Sequence, residues 1–233
     1  MADRFYTSDQ LGPGEYTLTG SEAHHLSAVR RFGPGDCVML FNGDGNEYPA
    51  EVVATSKKSV TLNVLRTELA DRELPFQLVV ASALPKGDRA DFLIEKLTEL
   101  GATRFVPLIT ARAIVQPRAG VVEKFTRAVI EASKQCGRNR LMTIDPPRAW
   151  ASFLALTDLP PTRLLLHTEW ASPLAAGNPA GVVVAVGPEG GFSTEEIAAA
   201  SAAGWQVVCL GKRVLRVETA AIAAAALLGL ATK

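Results

Sequence analysis

The strongest constraint on the fold is a change of rhythm near residue 75. From there on, short and almost continuous apolar runs, "FQLVVASAL", "TRFVPLIT", "RLLLH", "GVVVAV" and "QVVCL", alternate with segments of helical period. In "DRADFLIEKLTELG" the residues Leu93, Leu97 and Leu100 share one helical face, and Gly101 is the stop. "VVEKFTRAVIEASKQCG", "STEEIAAAASAAG" and "ETAAIAAAALLGLA" are the remaining helices. A strand without polar alternation is buried on both faces, and strands separated by helices are joined by crossovers. The region therefore folds as an α/β domain around a mostly parallel sheet.

Residues 1–70 have another texture. "RFYTS", "EYTLTG", "DCVMLFNGDGNEYPAEVVATS" and "SVTLNVLRT" read as short strands. "NGDG" at 42–45 lies between alternating runs, which is a hairpin signal, and "GPGD" at 33–36 is a further turn. The expectation is a small all-β barrel over 1–70, interrupted by one helix at 21–32 with Ser21 as its N-cap. Charge breaks the pattern in "ELADRELP", residues 68–75, so the second domain is expected over 75–233.

Composition excludes several classes. Hydrophobic residues make up 48% and charged residues 21% of the 233, as in an ordinary globular protein. Runs such as "AAIAAAALLGLA" fall short of the roughly 20 apolar residues of a membrane span, and "MADRFYTSDQ" has no apolar signal core. A cytoplasmic location is expected. Cys37, Cys136 and Cys209 are odd in number and scattered, so neither a disulfide framework nor a zinc site is suggested. His24 and His25 have no third ligand nearby and read as packing or surface residues, and no metal is expected. Asp88 and Glu95 read as capping and surface charge. Basic and acidic residues balance at 24 each, so a polyanionic partner has to be met by a local patch.

The chemistry concentrates late in the chain. In "VGPEGGFSTEE", residues 186–196, an apolar strand runs into a glycine-rich turn, and Ser193 with Glu196 forms a capping box that opens a helix. A helix start of this kind suits an anion, but Pro188 has no N–H to donate and Glu189 adds a negative charge. A neutral or cationic ligand fits better, and a tight turn without a ligand is the plainer alternative. In "LGKRVLRVETA", residues 210–220, a strand again ends at a glycine, Gly211, and a loop carrying Lys212, Arg213 and Arg216 feeds a helix near Glu218. Two such loops make a crevice at the carboxyl ends of the strands, where open α/β sheets bind ligands. A solvated basic loop is the competing reading of the three cations.

These two motifs, with "KGDRADFLIEKLTELGATRFVPLITARA", "EASKQCGRNR", "HHLSAVRRFGPGD" and "LFNGDGNEY", resemble the ribosomal RNA small-subunit uridine N3-methyltransferases of the SPOUT superfamily over nearly the whole chain. The resemblance implies a PUA-like RNA-binding β-barrel at the N-terminus. It also implies a SPOUT α/β domain with a deep trefoil knot, S-adenosylmethionine bound in bent form, a homodimer, and methylation of N3 of one uridine in small-subunit ribosomal RNA. Carried over by position, the cofactor residues are His167, Gly187, Pro188, Glu189, Gly190, Gly191, Leu210, Gly211, Val214 and Leu215.

Arg216 or Arg213 is expected to stabilise charge developing on the uracil. Glu218 or Glu189 is the candidate proton acceptor, with a structural role, capping or pairing to Arg216, as the alternative. RNA contacts are expected from Arg30 and Arg31 and from Lys134, Arg138 and Arg140, the last three in a run without an acid; a solvated helix end is the alternative. Another SPOUT-type RNA methylation and a non-catalytic RNA-binding protein are the rival functions.

Overall fold

The computed structural model describes residues 3–168, 171–175, 177 and 180–230. The chain divides into two compact units, one of residues 1–73 with 133–141, the other of residues 74–132 with 142–233. The expected boundary at 68–75 did not foresee that residues 133–141 cluster with the first unit.

The first unit holds β1 (Arg4–Tyr6), β2 (Gly14–Thr19), α1 (Gly20–His24), β3 (Cys37–Phe41), β4 (Asn46–Thr55), β5 (Ser59–Val64) and β6 (Glu68–Leu69). The sheet runs β1-β3-β4-β5-β2 with β6 paired to β4, as an open path in which the end strands β1 and β2 are not neighbours. The "NGDG" turn joins β3 and β4 antiparallel, with Leu40 opposite Tyr48. Alternate residues supply the core: Leu40 and Val38, Val52 and Ala50, and Val60, Leu62 and Val64 pack with Phe5, Leu18 and Leu26.

The helix differs from expectation. β2 ends at Thr19, which is the N-cap without a side-chain hydrogen bond, and the chain turns at once through Gly20 (φ 71°), leaving Ser21 inside the first turn. The helix then widens into a π-turn over His25–Val29, where the Arg30 N–H donates to the His25 carbonyl at 2.8 Å, and it stops before Arg31 (φ 61°).

Residues 133–141 are held in this unit by ion pairs and carbonyl contacts. The Arg138 guanidinium donates through Nε (3.1 Å) and Nη2 (2.5 Å) to the two oxygens of Glu73. Arg4 bonds Glu47, the Arg138 carbonyl and the Asn139 side chain. Arg72 Nη1 donates to Glu47 Oε1 (2.6 Å) and the Gly137 carbonyl (2.9 Å). Burial raises the Glu47 carboxyl pKa, but hydrogen bonds from Arg72 and Arg4 and their charges more than offset it, holding it below its ordinary value.

The second unit holds β7 (Leu78–Ala83), α2 (Arg89–Glu99), β8 (Arg104–Ile109), most of α3 (Val121–Cys136), β9 (Thr143–Ile144), β10 (Arg148–Ala149), α4 (Trp150–Leu154), β11 (Thr162–Leu166), β12 (Ser172–Pro173), β13 (Val182–Val186), α5 (Thr194–Ala202), β14 (Gln206–Cys209) and α6 (Val217–Gly229). The expected last helix residue, Ala231, lies outside the described residues. The strand order is β10-β8-β7-β13-β11-β14-β12 with β9 on β8, and every described pairing is parallel.

Every residue of β7 and β13 is buried, as their almost continuous apolar runs require, with Ser82 the one polar residue among them. Val79, Ala81, Val183 and Ala185 pack on one face against Trp150, Phe153, Phe192 and Trp205, while α6 contacts β7, β13 and α2. Leu93 and Leu97 of α2 are buried, Leu100 is half-buried, and Gly101 (φ 84°) ends the helix. Asp88 stands at the N-cap of α2 without a side-chain cap hydrogen bond.

Candidate cofactor-binding site

Strand register creates the site. Leu166 of β11 pairs with Val186 of β13 on one side and with Val208 of β14 on the other, so three neighbouring strands end at the same level. The ladder continues one residue further, the His167 N–H donating to the Val208 carbonyl at 2.9 Å. The loops that leave these ends enclose a cavity of about 380 Å³. Its walls include His167 and Thr168 after β11, residues 187–192 after β13, Leu210, Gly211, Arg213, Val214 and Leu215 after β14, and Val217 and Ala220 of α6. All ten positions assigned to the cofactor by resemblance line it.

The glycine turn is shaped by its neighbours. The Gly191 N–H donates to the Pro188 carbonyl at 2.8 Å, and Gly191 takes φ 67°, a conformation costly for a residue with a Cβ. Gly187 is there for space: a Cβ would lie 3.0 Å from Cδ2 and 3.2 Å from Cε2 of Phe192. That ring is buried against Trp150, centroid to centroid 4.7 Å. The capping box of α5 is complete, with Ser193 Oγ accepting from the Glu196 N–H (3.2 Å) and Glu196 Oε2 accepting from the Ser193 N–H (2.8 Å).

Glu196 does more than cap. Its second oxygen, Oε1, accepts from the Ala111 N–H at 2.8 Å, joining the loop after β8 to the start of α5. The next residue, Arg112, lines the cavity and donates from Nη1 to the carbonyls of Gly190 (3.0 Å) and Phe192 (3.4 Å). Glu195, exposed on the first turn, has its pKa lowered by a hydrogen bond from the Ser193 hydroxyl, then by its own backbone N–H and by the charge of Arg112.

Of the catalytic candidates, the structure brings Arg213 into the cavity wall but neither Arg216 nor Glu218. Arg216 is exposed at the N-cap of α6. Glu218, 6% exposed, does not pair with Arg216 as its structural alternative supposed. Its Oε1 accepts from Arg89 Nη1 at 3.3 Å, and its Oε2 is buried without a hydrogen-bond partner among the described residues. Val214 is 81% exposed at the rim.

The basic residues are distributed differently from their appearance in sequence. "KQCGRNR" has no acid of its own, but the first unit supplies them: Lys134 Nζ lies 2.6 Å from Glu22 Oε1, and Arg138, 4% exposed, is held by Glu73. Arg140 and Arg31 are exposed, and Arg30 is exposed beside Asp3. Among the described residues no group of three His, Cys, Asp or Glu side chains could hold a metal ion, and no helix is long and apolar enough to cross a membrane.

Sequence reasoning missed Arg112, Thr168 and Phe192 as cavity residues. Thr168 and Phe192 adjoin positions that were identified. Arg112 lies after the end of another strand, 78 residues from the carbonyl of Gly190 to which it bonds; its signals were its position just after a strand of the parallel sheet and its place in the stretch "VPLITARA".

A parallel α/β unit with its cavity at the strand ends follows a small mixed β unit, and the family matches make the chain an RNA methyltransferase in class. A family model described as an RNA methyltransferase domain matches residues 72–229, and one described as an RNA methyltransferase PUA domain matches residues 18–65. The chain is 36% identical over 219 residues to a ribosomal RNA small subunit methyltransferase E of Synechocystis sp., covering 91% of this chain and 72% of that protein.

Two solved structures are similar throughout. A putative methyltransferase of Legionella pneumophila, in complex with its bound cofactor SAM, has a TM-score of 0.91 at 33% identity, covering 99% of this chain and 98% of the other. A ribosomal RNA small subunit methyltransferase E of Neisseria gonorrhoeae bound to S-adenosyl methionine has a TM-score of 0.89 at 32% identity, covering 97% and 96%. The chain belongs to the ribosomal RNA small subunit methyltransferase E family.

Proposed function

We propose that this chain transfers the methyl group of S-adenosylmethionine to N3 of a uridine in small-subunit ribosomal RNA. The observation that carries the reading is the single cavity into which the ends of β11, β13 and β14 bring all ten residues assigned to the cofactor. Two relatives of similar fold, at 33% and 32% identity, bind this cofactor, which supports the same ligand here. The residues present fit it: Val186, Leu210, Val214 and Leu215 give an apolar lining, and Pro188 withholds an N–H from a turn that would otherwise favour phosphate. When bound, the cofactor supplies an electrophilic methyl carbon on a cationic sulfur.

The chain's own work is positioning and charge control. Aligning uracil N3 with the methyl carbon for in-line displacement supplies much of the rate. N3 must lose its proton, and the charge that spreads onto the two carbonyl oxygens is stabilised by Arg213 from the cavity wall or by Arg216 beside it, both permanently cationic. Glu189, exposed in the cavity, is the proton acceptor in this reading, with Glu218, which stands outside the cavity wall and whose Oε2 has no hydrogen-bond partner among the described residues, as the alternative.

The exposed Arg30, Arg31 and Arg140 are the proposed phosphate contacts on the first unit, a β domain matched by the RNA methyltransferase PUA model. Lys134 and Arg138 belong to the same basic set by sequence, with their charges already met by Glu22 and Glu73. A homodimer, a cytoplasmic site of action and a trefoil knot around the cofactor loops complete the reading.

The test uses small ribosomal subunits, and their naked RNA, from cells lacking the gene, incubated with the protein and methyl-labelled cofactor and then digested to nucleosides. Label in 3-methyluridine is expected, and Arg216→Ala is expected to lower turnover while cofactor affinity stays near that of the parent. Label in another nucleoside overturns the substrate assignment, and an unchanged rate removes Arg216 from the mechanism.

A further inference from the structure

We propose that Arg112 anchors the carboxylate of the cofactor's amino-acid end, receiving it on the Nε–Nη2 edge of its guanidinium. The proposal rests on the S-adenosylmethionine reading above and assigns a role to a residue that lies inside a motif of the resemblance but was given no part there. A guanidinium has five N–H donors in one plane. In Arg112 the Nη1 donors are committed, at 3.0 Å and 3.4 Å, to the carbonyls of Gly190 and Phe192. Among the described residues no hydrogen bond is made by Nε or Nη2, whose parallel N–H groups form the fork that a carboxylate accepts in bidentate fashion.

Two features make this edge a prepared site. Arg112 is fixed from both ends, because the preceding residue, Ala111, donates its N–H to Glu196 while the guanidinium is held by the glycine turn. A side chain already immobilised loses little further freedom when it binds. Arg213, the other arginine of the cavity, is exposed as Arg112 is, but among the described residues no ion pair or hydrogen bond fixes it.

The charges facing Arg112 also agree. Glu195 acts on it at Coulombic range, but its carboxylate is turned to the Ser193 hydroxyl at 2.7 Å and leaves the fork open. The cavity's own acid, Glu189, suits the ammonium and sulfonium charges of the same ligand. An RNA phosphate could use such a fork too, but Arg112 is bound to the carbonyls of the very turn that encloses the cavity, which favours the smaller ligand.

The test is calorimetric titration of the full-length protein with S-adenosylhomocysteine and with its decarboxylated analogue, for the parent, Arg112→Gln and Arg112→Lys. In the parent, loss of the carboxylate is expected to weaken binding roughly 10- to 100-fold, the range for a hydrogen bond to a charged group. Arg112→Gln is expected to weaken S-adenosylhomocysteine more than the analogue, so that the two ligands bind with similar affinity, while any loss of its contacts to the Gly190 and Phe192 carbonyls weakens both alike. Arg112→Lys, which keeps the charge but lacks the fork, should recover part of the loss.

Equal weakening of both ligands in Arg112→Gln would mean that the residue only holds the glycine turn, and the proposal falls. Unchanged cofactor affinity with a raised KM for RNA would move Arg112 to phosphate contact and also overturn it. A parent protein that binds neither ligand overturns the cofactor reading together with this one.

Discussion

At the scale of single residues, the glycines of the two cofactor loops are required for different reasons, and substitution separates them. Gly187 has no need of a positive φ; it is required because a Cβ would press on the Phe192 ring at 3.0 Å, and that ring is locked against Trp150. Gly187→Ala therefore displaces either the ring or the turn. A loss of about 1–3 kcal/mol is expected, as for overpacking in a core, together with weaker cofactor binding, measured by denaturant unfolding and titration of the same protein. Gly211 is the counter-case: its φ is 92°, but nothing lies within 4 Å of a Cβ there, so the cost is one of backbone strain alone. The sequence announced both glycines as turn residues. It could not say which is needed for space, because the Trp150 against which the ring packs comes from a distant helix. Arg112 was illegible for a similar reason, since its partners are backbone carbonyls, which carry no sequence signal.

At the scale of elements, the start of α5 was readable and the start of α1 was not. Ser193 and Glu196 stand at the spacing of a capping box, and each makes its reciprocal hydrogen bond. What the spacing could not reveal is that Glu196 uses its other oxygen to hold Ala111, so that a local cap also joins two loops of the site. Removing it should cost more than an ordinary cap: Glu196→Ala is expected to destabilise by about 1–3 kcal/mol, because a negatively charged acceptor is lost to two backbone donors. Glu196→Gln keeps one acceptor oxygen and is expected to lie between it and the parent. If both variants unfold at the parent's denaturant midpoint, the bridge to Ala111 contributes nothing. For α1 the side-chain rule pointed to Ser21, but the strand before it decides: β2 runs to Thr19 and Gly20 turns the chain directly into the helix. Tertiary placement outweighed capping preference, and no pattern in "SEAHHLSAVRRF" marks the π-turn at His25–Val29.

At the scale of the whole molecule, the parallel sheet was legible because β7 and β13 are buried on both faces and are apolar but for Ser82, whose hydroxyl donates to the Ala83 carbonyl. The membership of residues 133–141 in the first unit was not, since it depends on pairings such as Arg138 with Glu73, 65 residues apart, that leave no periodic trace. The two views of Arg138 lead to different experiments. Read from its run of cations, Arg138→Ala should weaken RNA binding, flatten its salt dependence and leave the fold intact. Read from its 4% exposure and its two-point contact with Glu73, the same change strips a nearly buried carboxylate of its cation. Breaking such a pair from one side costs about 3–5 kcal/mol when burial is complete, and Glu73 retains 14% exposure, so about 3 kcal/mol is expected. Replacing both residues together, as Arg138→Met with Glu73→Leu, should recover much of that loss, because the penalty lies in the orphaned charge more than in the missing attraction. Thermal or denaturant unfolding of the two variants decides the matter. A stable Arg138→Ala protein with weakened RNA affinity would return the residue to the RNA-contacting set, whereas instability relieved by the second substitution makes it part of what joins residues 133–141 to the first unit.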